Sequence, residues 1–161
     1  MAFTAADVYN YITQEVIVRL KTHTDLVDWR DSETPAVGIG DRYYSSAMLE
    51  TDFYPCLGVD QTDDDIVYKS FNAGLVKIEV PMEIYGFVQI YGTLARQDIR
   101  SLLVELEKAC RIEEAGKWGG LFTQVHTKVG QLSPPITIKK KPLYACRIQF
   151  TGLYKRRMDL D

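Results

Sequence analysis

The residues of this chain whose types allow chemistry are two histidines, three cysteines, a few hydroxyls beside glycines and a short run of aspartates, and their spacing decides what that chemistry can be. A zinc site needs His and Cys ligands clustered at short spacing. His23 and His126 stand far apart, and neither has a Cys, His or acidic partner at motif spacing, so both are expected to be structural or surface residues. Cys56, Cys110 and Cys146 are odd in number, widely separated and without a C-x-x-C pair. They fit reduced thiols that behave as small hydrophobes. None carries a catalytic flank, and no G-x-S-x-G elbow presents a serine. Gly38-Ile39-Gly40 begins like a dinucleotide fingerprint but lacks the third glycine and a strong following helix, so it reads as a turn. In Gly116-Lys117-Trp118 the tryptophan stands where a phosphate loop requires Ser or Thr. Asp60, Asp63, Asp64 and Asp65 offer carboxylates, without the alternation of an EF-hand loop. The chain is therefore expected to be no enzyme and to use no metal or cofactor.

What remains is charge. The formal net charge is -3, but residues 1–80 hold 6 Lys and Arg against 14 Asp and Glu, whereas residues 81–161 hold 13 against 8. If the two halves also occupy different sides of the molecule, copies can meet head to tail through unlike charges and close into rings or run on as filaments. The contact candidates are the acidic Asp63, Asp64 and Asp65 and the basic runs Lys139, Lys140, Lys141 and Lys155, Arg156, Arg157. With a pI near 5.4 the chain does not have the make-up of a dedicated nucleic-acid binder. Its length of 161 residues suits one domain able to bury a core, and no window approaches the roughly 18 apolar residues of a membrane span. The N-terminus lacks the basic-then-apolar pattern of a secretory signal, so synthesis in the cytoplasm is expected.

The elements that would position these residues follow from periodicity. Val8, Ile12, Val16 and Leu20 recur at i+4, with Thr4 as N-cap and Phe3 against Val8 as a staple, which predicts a helix over 5–21. From Asp28 to Asp52 the chain is turn-rich, with a short strand around Ala36 to Ile39. Phe53 to Asp60 reads as a strand entered through Pro55, followed by an acidic loop. From Leu75 to Ile90, Val76, Ile78, Val80, Met82 and Ile84 share one face and Lys77, Glu79 and Glu83 the other, the pattern of a half-buried antiparallel strand. Pro81 inside it donates no ladder hydrogen bond, which predicts an edge or a bulge there. A second helix runs from Thr93 or Ala95 to Glu114 on the stripe Ile99, Leu102, Leu103, Leu106 and Cys110, with Glu107 and Arg111 as an i+4 pair and Gly116 as the stop. Leu121 to Val129 and Leu143 to Tyr154 read as two more strands. The expected fold is α+β over 1–161: one mostly antiparallel or mixed sheet with two helices packed on one face.

In that order of elements the sequence resembles the tail-terminator, or tail-completion, proteins of long-tailed bacteriophages. The resemblance is carried by the first helix, by Phe53-Tyr54-Pro55-Cys56-Leu57-Gly58-Val59, by Gly74-Leu75-Val76-Lys77-Ile78-Glu79-Val80, by Ala95-Arg96-Gln97-Asp98-Ile99-Arg100-Ser101-Leu102-Leu103 and by Leu143-Tyr144-Ala145-Cys146-Arg147-Ile148-Gln149-Phe150-Thr151-Gly152-Leu153-Tyr154. It implies a non-enzymatic virion subunit, located in the tail, that forms a hexameric ring. The ring would cap the tail tube protein, end its polymerisation and present the surface to which a head-completion or connector protein docks. Under that resemblance the basic runs would meet the acidic half of the next subunit or genome DNA passing through the ring, and the long strand or the segment from Asp60 to Asn72 would face the tube or a neighbour. Another head-tail connector, a head-completion or minor tail protein, or an enzyme with a site dispersed in sequence are the alternative classes.

Overall fold

A computed structural model of the chain describes residues 5–32, 38–40, 42–45, 53–61, 67–72 and 75–157. Helix α1 (Ala5–Leu20) buries Ile12, Val16 and Leu20, the stripe expected from the sequence; Phe3 and Thr4 lie outside the described residues. A short helix α2 (Thr24–Val27) follows, unsignalled in the sequence because four residues make too short a window for periodicity. The strands β1 (Tyr43–Ser45), β2 (Cys56–Gln61), β3 (Val67–Asn72) and β4 (Leu75–Gln89) precede helix α3 (Ala95–Ala115). A single turn α4 (Lys117–Gly120) and the strands β5 (Gln124–Thr127), β6 (Gln131–Leu132), β7 (Ile136–Ile138) and β8 (Lys141–Arg157) complete the described elements.

All described strands join one mixed sheet whose spine is the antiparallel pair β4 and β8, in register from Leu75 opposite Arg157 to Gln89 opposite Leu143. On one flank β4 pairs first with β2, from Cys56 opposite Phe87 to Gln61 opposite Met82, and then with β3, from Val67 opposite Glu79 to Asn72 opposite Leu75. Strand β1 lies parallel to β2 outside it. On the other flank β8 pairs in turn with β5, β6 and β7, three short strands laid end to end. The fold is thus α+β, with α1 and α3 contributing to one core cluster against the face of the sheet that carries Ile78, Val80, Met82, Ile84, Cys146, Ile148 and Phe150.

Several expectations are corrected by this topology. The long strand is central, not an edge. Pro81 is tolerated because it falls in the gap between the two flanking registers: β2 ends opposite Met82 and β3 begins opposite Glu79, so Val80 and Pro81 have no described neighbour on that side. A proline there removes no donor from the β2 or β3 ladder. The segment from Asp60 to Asn72 is in part sheet, since Asp60 and Gln61 end β2 and 67–72 form β3. Ala36 lies outside the described residues, and Gly38 makes only an isolated bridge to Arg30. Between the two strands expected over Leu121 to Val129 and Leu143 to Tyr154 the chain also forms β6 and β7. The expected Glu107–Arg111 pair is not among the ion pairs made by the described residues; Lys108 bonds Glu105 at 3.2 Å instead.

The second face of the sheet is not purely polar. Tyr54, Cys56, Phe87, Leu143 and Ala145 form a separate buried cluster on it. At the other end of β8, Trp118 stacks on Phe150 with ring centroids 4.7 Å apart, and Phe122 meets the same ring edge-on at 6.0 Å. The chain reaches this packing through a left-handed turn in which Lys117, Trp118, Gly119 and Gly120 all have positive φ. Glycines at the last two positions carry that conformation without a Cβ penalty.

Candidate interaction surfaces

The tip of the β7–β8 hairpin is built by Lys139 and Lys140, with φ of 50° and 66°. Two consecutive left-handed residues joining paired strands make a type I′ turn, where Asn and Gly are normally preferred. Lysines there accept backbone strain and hold two ammonium groups at an exposed corner. Lys141 starts β8 with its Nζ 5.8 Å from the centre of the Tyr54 ring. Lys155, Arg156 and Arg157 end the same strand, where their backbones pair with Lys77, Val76 and Leu75. At about 3.3 Å per residue the two basic runs are separated by roughly 45 Å of strand, so they form two surfaces, not one. Asp63, Asp64 and Asp65 lie outside the described residues.

Topology also answers where the described strands of the two halves of the sequence go. Strands β1, β2 and β3 all sit on the β4 flank, and β5, β6 and β7 all sit on the β8 flank. Residues 117–157, which build α4 and the described strands of the β8 flank with β8 itself, contain nine Lys and Arg and no Asp or Glu. The outer margin of that flank is blunted against strand pairing. It is interrupted at Lys128–Gly130 and again at Pro134 and Pro135, and it exposes Lys128. Breaks, prolines and lysines are the usual devices that stop an edge from adding another strand. Val129, 85% exposed, and the partly exposed Leu132 and Ile136 also lie along it. A groove of about 350 Å³ runs beside it, with Tyr85, Phe87 and Ala145 among its lining and Arg147 at its rim. The Arg147 guanidinium donates to Gln131 Oε1 at 2.9 and 3.1 Å and lies 3.7 Å from Glu83 Oε1. Glu83, expected on a solvated face, is buried, and it accepts a bond from Gln149 Nε2.

One polar cluster was not legible as a unit. Glu113 is buried on α3 and accepts from Arg19 Nε at 2.9 Å, from Arg19 Nη2 at 3.0 Å and from His23 Nε2 at 2.9 Å. The only sequence signal was that Glu113 falls where the apolar stripe Leu102, Leu106, Cys110 continues, a place a carboxylate occupies only with a partner. The segment that follows His23 lies against α3 through further bonds: Trp29 Nε1 donates to Ser101 Oγ at 3.2 Å, and Ser32 donates to Asp98 through its N–H at 2.9 Å and its hydroxyl at 2.6 Å. The cluster therefore ties α1 and the strap after it to α3. A concavity of about 910 Å³ lies along β5 and is lined by His126, Glu79 and Glu114, and the Glu114 carboxylate accepts the Thr127 N–H at 2.9 Å. Among the described residues no group of three His, Cys, Asp or Glu side chains is placed to hold a metal ion, and no helix is long and apolar enough to cross a membrane.

The three thiols are free and buried. Burial pushes Cys56 and Cys146 up to about 12 and raises Cys110 as well, where Glu113, Glu107 and Glu114 add to the effect. Iodoacetamide at pH 8 is expected to label none of them in the folded chain and all three in urea, read by intact mass; labelling of the folded chain at the unfolded rate would contradict this. The linkage has a fixed sign. The raised thiol pKa values stabilise the fold fully below pH 9, where unfolded thiols begin to ionise, and that contribution is lost as pH rises through 9 toward 12.

A scan against protein-family models finds no match to this chain, and a search of curated proteins finds none either.

Proposed function

We propose that this chain is a structural subunit of a long-tailed phage virion, of the tail-terminator kind. Copies form a ring that caps the tail tube, ends its polymerisation and offers the head-joining surface. The observation that carries the reading is the placement of β1, β2 and β3, from a half of the sequence with 14 Asp and Glu against 6 Lys and Arg, on one flank of the sheet, and of β5, β6 and β7, from the acid-free segment 117–157, on the other. A body with unlike charge on opposite flanks is suited to heterologous contact, in which one flank meets the other flank of a neighbour and the rotation closes a ring. The order of helix, strands, long strand, helix and strands supports the same reading. The partners are then further copies of the chain, the tail tube protein and a head-completion or connector protein.

The test is the solution mass as a function of concentration and salt. A hexamer at low salt, or a monomer converting to one as concentration rises, is expected, with dissociation as ionic strength shortens the reach of the charges to about 8 Å and below. Substituting Lys139→Glu, Lys140→Glu and Lys141→Glu together is expected to shift the midpoint of assembly to at least about tenfold higher protein concentration, because three attractive contacts become repulsive. Unchanged assembly in that variant, together with unchanged capping of purified tail tubes, would remove the hairpin tip from the interface. A chain that is monomeric at all concentrations and leaves tube length unaltered would end the terminator reading.

A further inference from the structure

The register of the sheet places Lys77 of β4 directly opposite Lys155 of β8. Facing residues of an antiparallel pair have Cβ atoms about 5 Å apart, and like charges at that distance destabilise the pair. The usual relief is an ion pair with a nearby carboxylate. Among the described residues neither lysine makes an ion pair or hydrogen bond; Glu79, the acidic residue nearest along β4, has an interaction of its own. Beyond Lys155 the strand continues into Arg156 and Arg157, with their backbones still paired to β4. Among the described residues the two facing ammonium groups at this end of the sheet are thus left without an ion pair. Alternation along the two strands puts Lys77 and Lys155 on the face opposite Ile78 and Phe150, away from the helix-side core. Lys155 is exposed there and Lys77 half-exposed.

Resting on the ring-forming reading above, we infer that the Lys77–Lys155 pair is a carboxylate socket for a second copy of this chain, and that it forms a subunit contact separate from the β7–β8 hairpin tip. The sequence supplies the complementary chemistry, because residues 1–80 carry 14 Asp and Glu against 6 Lys and Arg. An incoming carboxylate between the two ammonium groups removes their mutual repulsion and gains two charge-assisted hydrogen bonds. Folding alone thus leaves a cost that assembly relieves.

The substitution Lys155→Glu separates the two roles because its effects have opposite signs. It turns the repelling cross-strand pair into an attracting one, so the isolated chain is expected to melt no lower than the wild type. It also destroys the socket, so sedimentation of the full chain at low salt is expected to show association weakened about fivefold or more per interface. The milder double variant Lys77→Gln, Lys155→Gln should weaken association in the same direction. A hexamer that forms with an unchanged midpoint in the folded Lys155→Glu variant overturns the socket and leaves the ring reading intact. A wild-type chain that never associates overturns both. Retention of a duplex DNA fragment by the wild type and its loss in Lys155→Glu, with association unaltered, would reassign the pair to nucleic acid and overturn the proposal.

Discussion

Replacing Arg19 with alanine is expected to lower the unfolding free energy by about 3 kcal/mol, the largest loss of any single change in the cluster that joins α1 to α3. Arg19 is the partner nearer solvent, with its side chain 41% exposed, while the Glu113 side chain is 1% exposed. Exposure would suggest a weak surface pair, but the asymmetry of burial decides otherwise. Without Arg19, Glu113 keeps its charge in the interior with His23 as its remaining partner among those bonds. Without the Glu113 charge, Arg19 can turn to water. Glu113→Gln is therefore expected to cost less, about 1–2 kcal/mol, since the amide oxygen still accepts one of the donated bonds. The arginine stem adds to its own loss by packing near Gly119. Urea denaturation of both single variants and the double variant gives the coupling directly, and the double is expected to be more stable than the sum of the singles predicts by about 1 kcal/mol or more. An Arg19→Ala chain within about 0.5 kcal/mol of wild type would show that the pair behaves as an exposed one.

The second large effect is expected at Gly152. A Cβ built there meets the Phe122 ring at three of its carbons, well inside contact distance. Phe122 cannot swing away freely, because it is fully buried and held edge-on against Phe150, which is in turn stacked on Trp118. Gly152→Ala is therefore expected to cost about 3 kcal/mol, at the upper end for overpacking, and to lower the melting temperature by roughly 6–12 °C. The combination Gly152→Ala, Phe122→Leu should recover part of that loss by making room. If the alanine variant alone melts with the wild type, the Phe122 ring has another place to go, and the aromatic packing beneath α4 is looser than described.

Both effects hinge on contacts between residues distant in sequence, and that is where the sequence alone falls short. Periodicity is a local property, so Ile12, Val16 and Leu20 identify the buried side of α1, and Ile99, Leu102, Leu106 and Cys110 that of α3. Alternation from Ile78 to Ile84 likewise identifies the core face of β4, since side-chain direction repeats every two residues whatever the neighbours are. The α+β class follows from the order of these elements. Whether β4 sits at an edge or at the centre is set by which strands pair beside it. Pro81 favoured the edge, while the gap between β2 and β3 permits the centre. The charged residues follow the same rule. Lys77 and Lys155 become a pair only through the register of β4 with β8, and Arg19, His23 and Glu113 meet only when α1 and α3 lie on the same face. Composition established that the two halves differ in charge. Only the order of strands in the sheet decided that β1, β2 and β3 lie on one flank of the β4–β8 pair and β5, β6 and β7 on the other, because pairing partners are chosen by the packing of the whole chain and not by the residues next in line.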